Sequence, residues 1–193
     1  MKPITIIIVL TLIYSCNKPK QTLIQEIPKN YFRKSSDKIS IKNDVVLLNN
    51  KKYSGFLFEL DKSKDTILIE GYIDGLLNGV CKKWYSKKQL MEERHYLGGQ
   101  KNGRQIAFWQ NGHKKFEFFA KNDAYEGELR EYSENGQMFH LANYVKGQEE
   151  GSQKMWYDNG KIRANYVVIK GKRYGLLGTK NCKNVSDSIF VVR

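Results

Sequence analysis

Three cysteines, three histidines and two acidic doublets are the residues of this 193-residue chain whose types could do chemistry. Cys81 with Cys182 suggests a disulfide; His95, His113 and His140, beside Glu92-Glu93 or Glu149-Glu150, suggest a metal or acid–base site. The spacing supports neither of the latter. A metal needs converging ligands, whereas the histidines fall 16, 10 and 13 residues after the repeating glycines described below and have no cysteine near them in sequence. The doublets also occupy unrelated positions and read as solvated surface. With no nucleophile motif and no phosphate-cradling glycine loop, the chain reads as non-enzymatic, with no cofactor and no metal.

Cys16 is different. Lys2 precedes an apolar run from Ile4 to Tyr14 that ends at Ser15-Cys16. As a helix the run reaches only about 16 Å against a hydrocarbon core of about 30 Å, so it reads as a cleaved signal peptide over residues 1–15. Ile13-Tyr14-Ser15-Cys16 resembles a bacterial lipobox, which implies a lipidated Cys16 and a membrane-anchored protein of the bacterial cell envelope. Lysines and arginines outnumber acidic residues 33 to 20 overall, and between Cys16 and Tyr53 nine basic residues face three acidic ones. That stretch reads either as attracted to anionic headgroups or as an extended solvated tether, here bounded at residues 16–37.

The elements follow from glycine. Gly55, Gly79, Gly103, Gly127, Gly151 and Gly175 stand 24 residues apart. Five residues after the four internal ones come Trp84, Phe108, Tyr132 and Trp156, followed in three units by Tyr85, Trp109 and Tyr157. Asn111-Gly112, Asn135-Gly136 and Asn159-Gly160 recur nine residues after the ladder, and Gly75, Gly99, Gly147 and Gly171 twenty residues after it. Asn-Gly between short apolar runs signals a hairpin closed by a type I′ turn. The expected fold is therefore all-β: an elongated single-layer antiparallel sheet of five 24-residue hairpin units over residues 55–175. Residues 38–54 form an N-terminal cap and residues 176–193 a C-terminal cap strand. In the last unit Ile162, Ala164, Tyr166 and Val168 should share the apolar face. Two strands per unit advance the sheet about 10 Å, which separates Cys81 from Cys182 by roughly 40 Å, far beyond disulfide reach.

Units such as Gly151 to Gly175 resemble MORN-type repeats of the bacterial variety, over about residues 50–178. Among these the chain is similar to YwqK-family antitoxins, many of which carry lipoprotein signals. The resemblance implies a protein-binding scaffold and, more finely, neutralisation of a toxin. Lys88, Asp123 and Ser133 depart from the pattern and are expected to loosen their turns or alter the surface. On the sheet, Trp84, Phe108, Tyr132 and Trp156 read as the packed strip, while Tyr85, Trp109 and Tyr157, turned the other way by alternation, are the candidate partner contacts. The alternative reading is a basic module for anionic lipid or cell-wall polymer. Export and the spread of charge argue against nucleic acid.

Overall fold

A computed structural model describes residues 25–178; the expected signal peptide, Cys16, Cys182 and residues 179–193 lie outside the described residues. Strands β1 (Tyr31–Arg33), β2 (Ile39–Lys42), β3 (Val45–Leu48) and β4 (Lys51–Lys52) precede the array. The array itself runs through β5 (Gly55–Leu60), β6 (Thr66–Ile73), β7 (Leu76–Leu77), β8 (Gly79–Trp84), β9 (Leu90–Leu97), β10 (Gln100–Phe108) and β11 (Lys114–Lys121). It continues with β12 (Ala124–Tyr132), β13 (Met138–Val145), β14 (Gln148–Glu149), β15 (Gly151–Trp156), β16 (Ile162–Ile169) and β17 (Lys172–Leu176). One 14-stranded sheet begins with β1 and meanders from β5 to β17 by hairpins, and β2-β3-β4 make a separate small sheet.

One face of the long sheet is its core. The residue two after each ladder glycine is buried in all five units: Leu57 at 0%, Cys81 at 6%, Gln105 at 0%, Leu129 at 5% and Gln153 at 1% exposure. Each faces a residue of the return strand directly: Leu57 with Glu70, Cys81 with Arg94, Gln105 with Phe118, Leu129 with Ala142, and Gln153 with Tyr166. Around Gln105 and Leu129, Phe118, Ala120 and Ala142 cluster with Phe116 and Tyr144, and the Tyr125 ring bridges Phe118 and Tyr144 at 4.7 and 5.0 Å. A sheet without a second layer excludes water by such cross-strand contacts.

A bulge recurs in every unit. Lys83 faces Glu92 while Trp84 faces Leu90, leaving Met91 unopposed, and the same shift leaves Ile67, Lys115, Phe139 and Arg163 unopposed in the other units. A bulge breaks strict alternation. Ala164, Tyr166 and Val168 lie buried as expected, but Ile162, beyond the bulge, is 52% exposed rather than on the core face.

The turns are distributed differently from the sequence expectation. In the Asn-Gly turns only the glycine is left-handed, at φ 89°, 86° and 77° for Gly112, Gly136 and Gly160. Gly112 N–H donates to the Trp109 carbonyl at 2.9 Å and Trp109 N–H to the His113 carbonyl at 2.7 Å, a type I turn followed by a left-handed residue. The two-residue turns with both positions left-handed are the other set, Asp74-Gly75, Gly98-Gly99, Asn122-Asp123, Lys146-Gly147 and Lys170-Gly171. The departures do not loosen anything. Lys88 takes the glycine's place at φ 64°, its turn closed by Tyr85 N–H on the Gln89 carbonyl at 2.8 Å, and Lys64 does the same in the first unit at φ 66°. Ser133 N–H closes its own turn on Gln137 at 2.9 Å, while Asp123 accepts the Lys101 N–H at 2.8 Å and returns its own N–H to the Lys101 carbonyl at 3.0 Å.

Residues 38–54 cover the start of the array by packing across the core face, where Val46 and Tyr53 join Leu57 and Tyr72. The sheet edge itself is closed by β1, parallel to β5, from within the stretch expected as tether. Gly55 permits this approach: a Cβ there would stand 2.6 Å from the Asn30 carbonyl.

Candidate protein-binding surface

The second turn residue of each unit sits where one hairpin meets the next. Tyr85 Oη–H donates to the Phe108 carbonyl at 3.2 Å, and the Trp109 indole N–H donates to the Tyr132 carbonyl at 3.0 Å. Each bond reaches 23 residues forward, one short of the pitch, to the residue five after the next ladder glycine. Ser133, one place in the next unit, is too short to repeat it and bonds locally to the Gln137 carbonyl at 3.0 Å. Turn-to-turn bonds reinforce the seam, with Asn111 Nδ2–H donating to the Glu134 carbonyl at 2.7 Å and His113 Nδ1 meeting the same oxygen at 2.9 Å.

The result is an aromatic rim held in place by its own backbone. Trp84, Tyr85, Phe108, Trp109, Tyr132 and Trp156 are half-buried, none joining the fully buried set, and Tyr157 is 41% exposed. Trp84, Phe108, Tyr132 and Trp156 thus flank the core rather than form it. The Lys115 ammonium lies 4.4 Å from the Trp109 ring centre, and Lys114 Nζ lies 5.7 Å from that of Tyr132. Fixed, half-exposed aromatics beside cations present apolar area whose ordering has already been met by folding.

On the core face, units one and two carry a polar seam. Glu70 accepts Lys34 Nζ–H at 2.7 Å and Tyr72 Oη–H at 2.8 Å; Arg94 grips Glu92 at 3.0 and 3.1 Å, and Lys83 reaches it at 3.0 Å. These opposite charges pair around a small cavity of about 30 Å³ lined by Leu68, Leu77, Cys81 and Tyr96. Burial pushes the Cys81 thiol up to about 11, and burial followed by the Glu70 charge raises Tyr72, so neither is an activated nucleophile.

The three histidines stay apart. His95 meets Glu93 at 3.2 Å, His140 meets Glu131 at 2.7 Å, and among the described residues no group of three potential ligands converges. Two features escaped sequence reading. The buried column two residues after the ladder mixes Leu, Cys and Gln, which share no chemistry; the glutamines are used because Gln105 and Gln153 donate to the carbonyls of His95 and Asn143 on the preceding return strands, each at 2.8 Å. The second is an exposed apolar group in the last unit, Val167, Ile169, Tyr174, Leu176 and Leu177, on strands whose alternation the sequence shows but whose neighbours it does not.

The MORN repeat variant family matches at residues 77–97, 125–146 and 149–166. Those segments cover the hairpins of the second, fourth and fifth units. No curated protein matches the chain. With its 24-residue hairpin pitch, the chain carries MORN-variant repeats in these three segments.

Proposed function

We propose that this repeat scaffold is non-enzymatic and binds a protein partner in the bacterial cell envelope, tethered there through lipidated Cys16. The observation that carries the reading is the aromatic rim, in which Tyr85 and Trp109 are locked by bonds to the next unit while keeping ring surface outward. Preorganised aromatics are the residue types that dominate binding energy at protein interfaces. The finer form is neutralisation of a toxin, in line with the likeness to YwqK-family antitoxins. Capture from envelope extract on immobilised residues 16–193, washed at rising salt, tests it. One protein retained near one-to-one at high salt is the expected result. Recovery of nothing but salt-labile material would remove it.

A second reading draws on the other rim. Lys121, Lys146, Lys170 and Lys172 are exposed at or beside the two-residue turns, suited to anionic lipid or wall polymer. Cosedimentation with anionic vesicles that is lost between 50 and 500 mM salt, roughly a threefold change in Debye length, would favour it.

A further inference from the structure

The bulges gather side chains into a strip. In each unit the residue five after the ladder glycine, the residue opposite it and the unopposed bulge residue stand together, as Trp84, Leu90 and Met91 do in the second unit and Tyr132, Met138 and Phe139 in the fourth. Three positions in each of five units give fifteen, and none of them is buried. None is acidic either: the charged members are Lys114 and Lys115 in the third unit and Arg163 in the fifth. Lys114 is already held by Glu117 at 2.6 Å, whereas Lys115 and Arg163 are exposed and have no ion pair among the described residues. The strip therefore offers apolar surface with two uncompensated positive charges two units apart.

The pitch of the array selects the shape that fits it. Two strands at about 4.8 Å advance the strip by about 10 Å per unit. A helix rises about 10.5 Å in seven residues, so one of its faces can repeat in step with the units. An extended strand covers the same distance in about three residues, an odd number, and so turns every second contact away from the strip. From the second unit to the fifth the strip runs about 30 Å, the length of a helix of about 20 residues.

We propose that the strip seats an amphipathic helix of a partner protein, laid along the array with a seven-residue repeat that is apolar toward Met91 and Phe139 and acidic toward Lys115 and Arg163. Such a partner presupposes that the aromatic rim binds protein, as proposed above, and specifies the partner's chemistry. Its two carboxylates stand about fourteen residues apart, because two units separate Lys115 from Arg163. A carboxylate at either place meets a cation and a lysine there meets like charge, so the surface selects its partner by sign.

Two labelled helical peptides of four heptads test this by fluorescence anisotropy on the full chain, at about 0.1 M salt, where the Debye length is still about 10 Å. Both carry Leu along one face; at the flanking position of successive heptads one carries Leu, Glu, Leu, Glu and the other Leu, Lys, Leu, Lys. The wild-type chain should bind the acidic peptide at least roughly tenfold more tightly than the basic one. With Lys115→Glu and Arg163→Glu together the order should reverse, which damage to the fold cannot produce because it weakens both peptides alike. Equal affinities, no binding of the acidic peptide, or a preference unchanged by the two replacements would overturn the proposal. Anionic vesicles bound by the wild-type chain and not by the doubly replaced one, with neither peptide bound, would give the strip to a lipid surface and overturn it too. Capture of an envelope protein that Tyr157→Ala loses, with neither peptide bound, would remove the helix and leave the rim as a binding surface.

Discussion

The indole N–H of Trp109 donates to the backbone carbonyl of Tyr132 at 3.0 Å, joining the turn of one repeat to the strand end of the next. In a linear array each unit touches only its neighbours, so a bond across the seam contributes to coupling as well as to local stability. Trp109→Phe keeps an aromatic ring at the position, a smaller one, and deletes the donor. The expected loss is about 1 kcal/mol, read as a lower denaturant midpoint. A midpoint unchanged from wild type would show that the bond contributes nothing.

Left-handed lysines offer the opposite change. Lys64 and Lys88 hold φ of 66° and 64° where three other units use glycine. Relieving a left-handed non-glycine residue is worth about 1–2 kcal/mol, offset by the entropy of the added glycine at about 0.5–1 kcal/mol. Lys88→Gly should therefore raise the thermal midpoint slightly, and Gly136→Lys should lower it. Reversed signs in a melting series would count against the assigned turn.

Gln105 and Gln153 are buried with their side-chain nitrogens bonded and their Oε1 atoms without a protein partner. Gln105→Leu copies Leu57 and Leu129 in the same column, exchanging a lost hydrogen bond for a relieved oxygen, and should change stability by less than about 1 kcal/mol. Gln105→Glu places a carboxylate against the His95 carbonyl. Its folded-state affinity for a proton is raised by burial, so the penalty is small below the unfolded value near 4.3 and grows above it to about 3 kcal/mol or more. Urea midpoints at two pH values on either side of that region distinguish the outcomes.

Acid should weaken the outer face. The Lys114 ammonium at 2.6 Å, opposed by burial and aided by Arg104 at 2.7 Å, holds the Glu117 carboxyl below its ordinary range. A depressed folded value means that this stabilisation is complete above the unfolded value near 4.3 and is lost as pH falls through the lower folded one. The stability gap between wild type and Glu117→Gln should therefore shrink on acidification through that window. A gap constant with pH would contradict the assignment.

Cys81 is buried, and its thiol is pushed up to about 11 chiefly by burial. Thiol alkylation mapped by mass spectrometry at about pH 8 should leave Cys81 unmodified in the native chain and modify it after denaturation. Rapid native labelling would mean that this part of the core face opens.

These outcomes show where the sequence could be read and where it could not. The ladder was legible because a left-handed residue such as Gly127, at φ 74°, tolerates few side chains, so its type recurs at a fixed pitch. The buried column was not, since Leu57, Cys81 and Gln105 meet one geometric need with three chemistries. Turn types were exchanged because Asn-Gly fits both a type I turn with a left-handed end and a type I′ turn. Tyr85 and Trp109 follow the strand ends at Trp84 and Phe108, where alternation no longer applies, and their bonds to Phe108 and Tyr132 depend on how units stack, which no single unit encodes.

Partner capture with an altered rim tests the central claim most directly. Tyr157, 41% exposed at the end of the rim, lies beyond the Tyr85 and Trp109 bonds, so Tyr157→Ala removes ring surface without breaking them. Immobilised wild-type chain should retain one envelope protein near one-to-one at high salt. Tyr157→Ala, compared at a temperature where both chains are fully folded, should lose at least roughly tenfold of that retention, about 1.4 kcal/mol. Equal retention by both would show that the aromatic rim is not the binding surface.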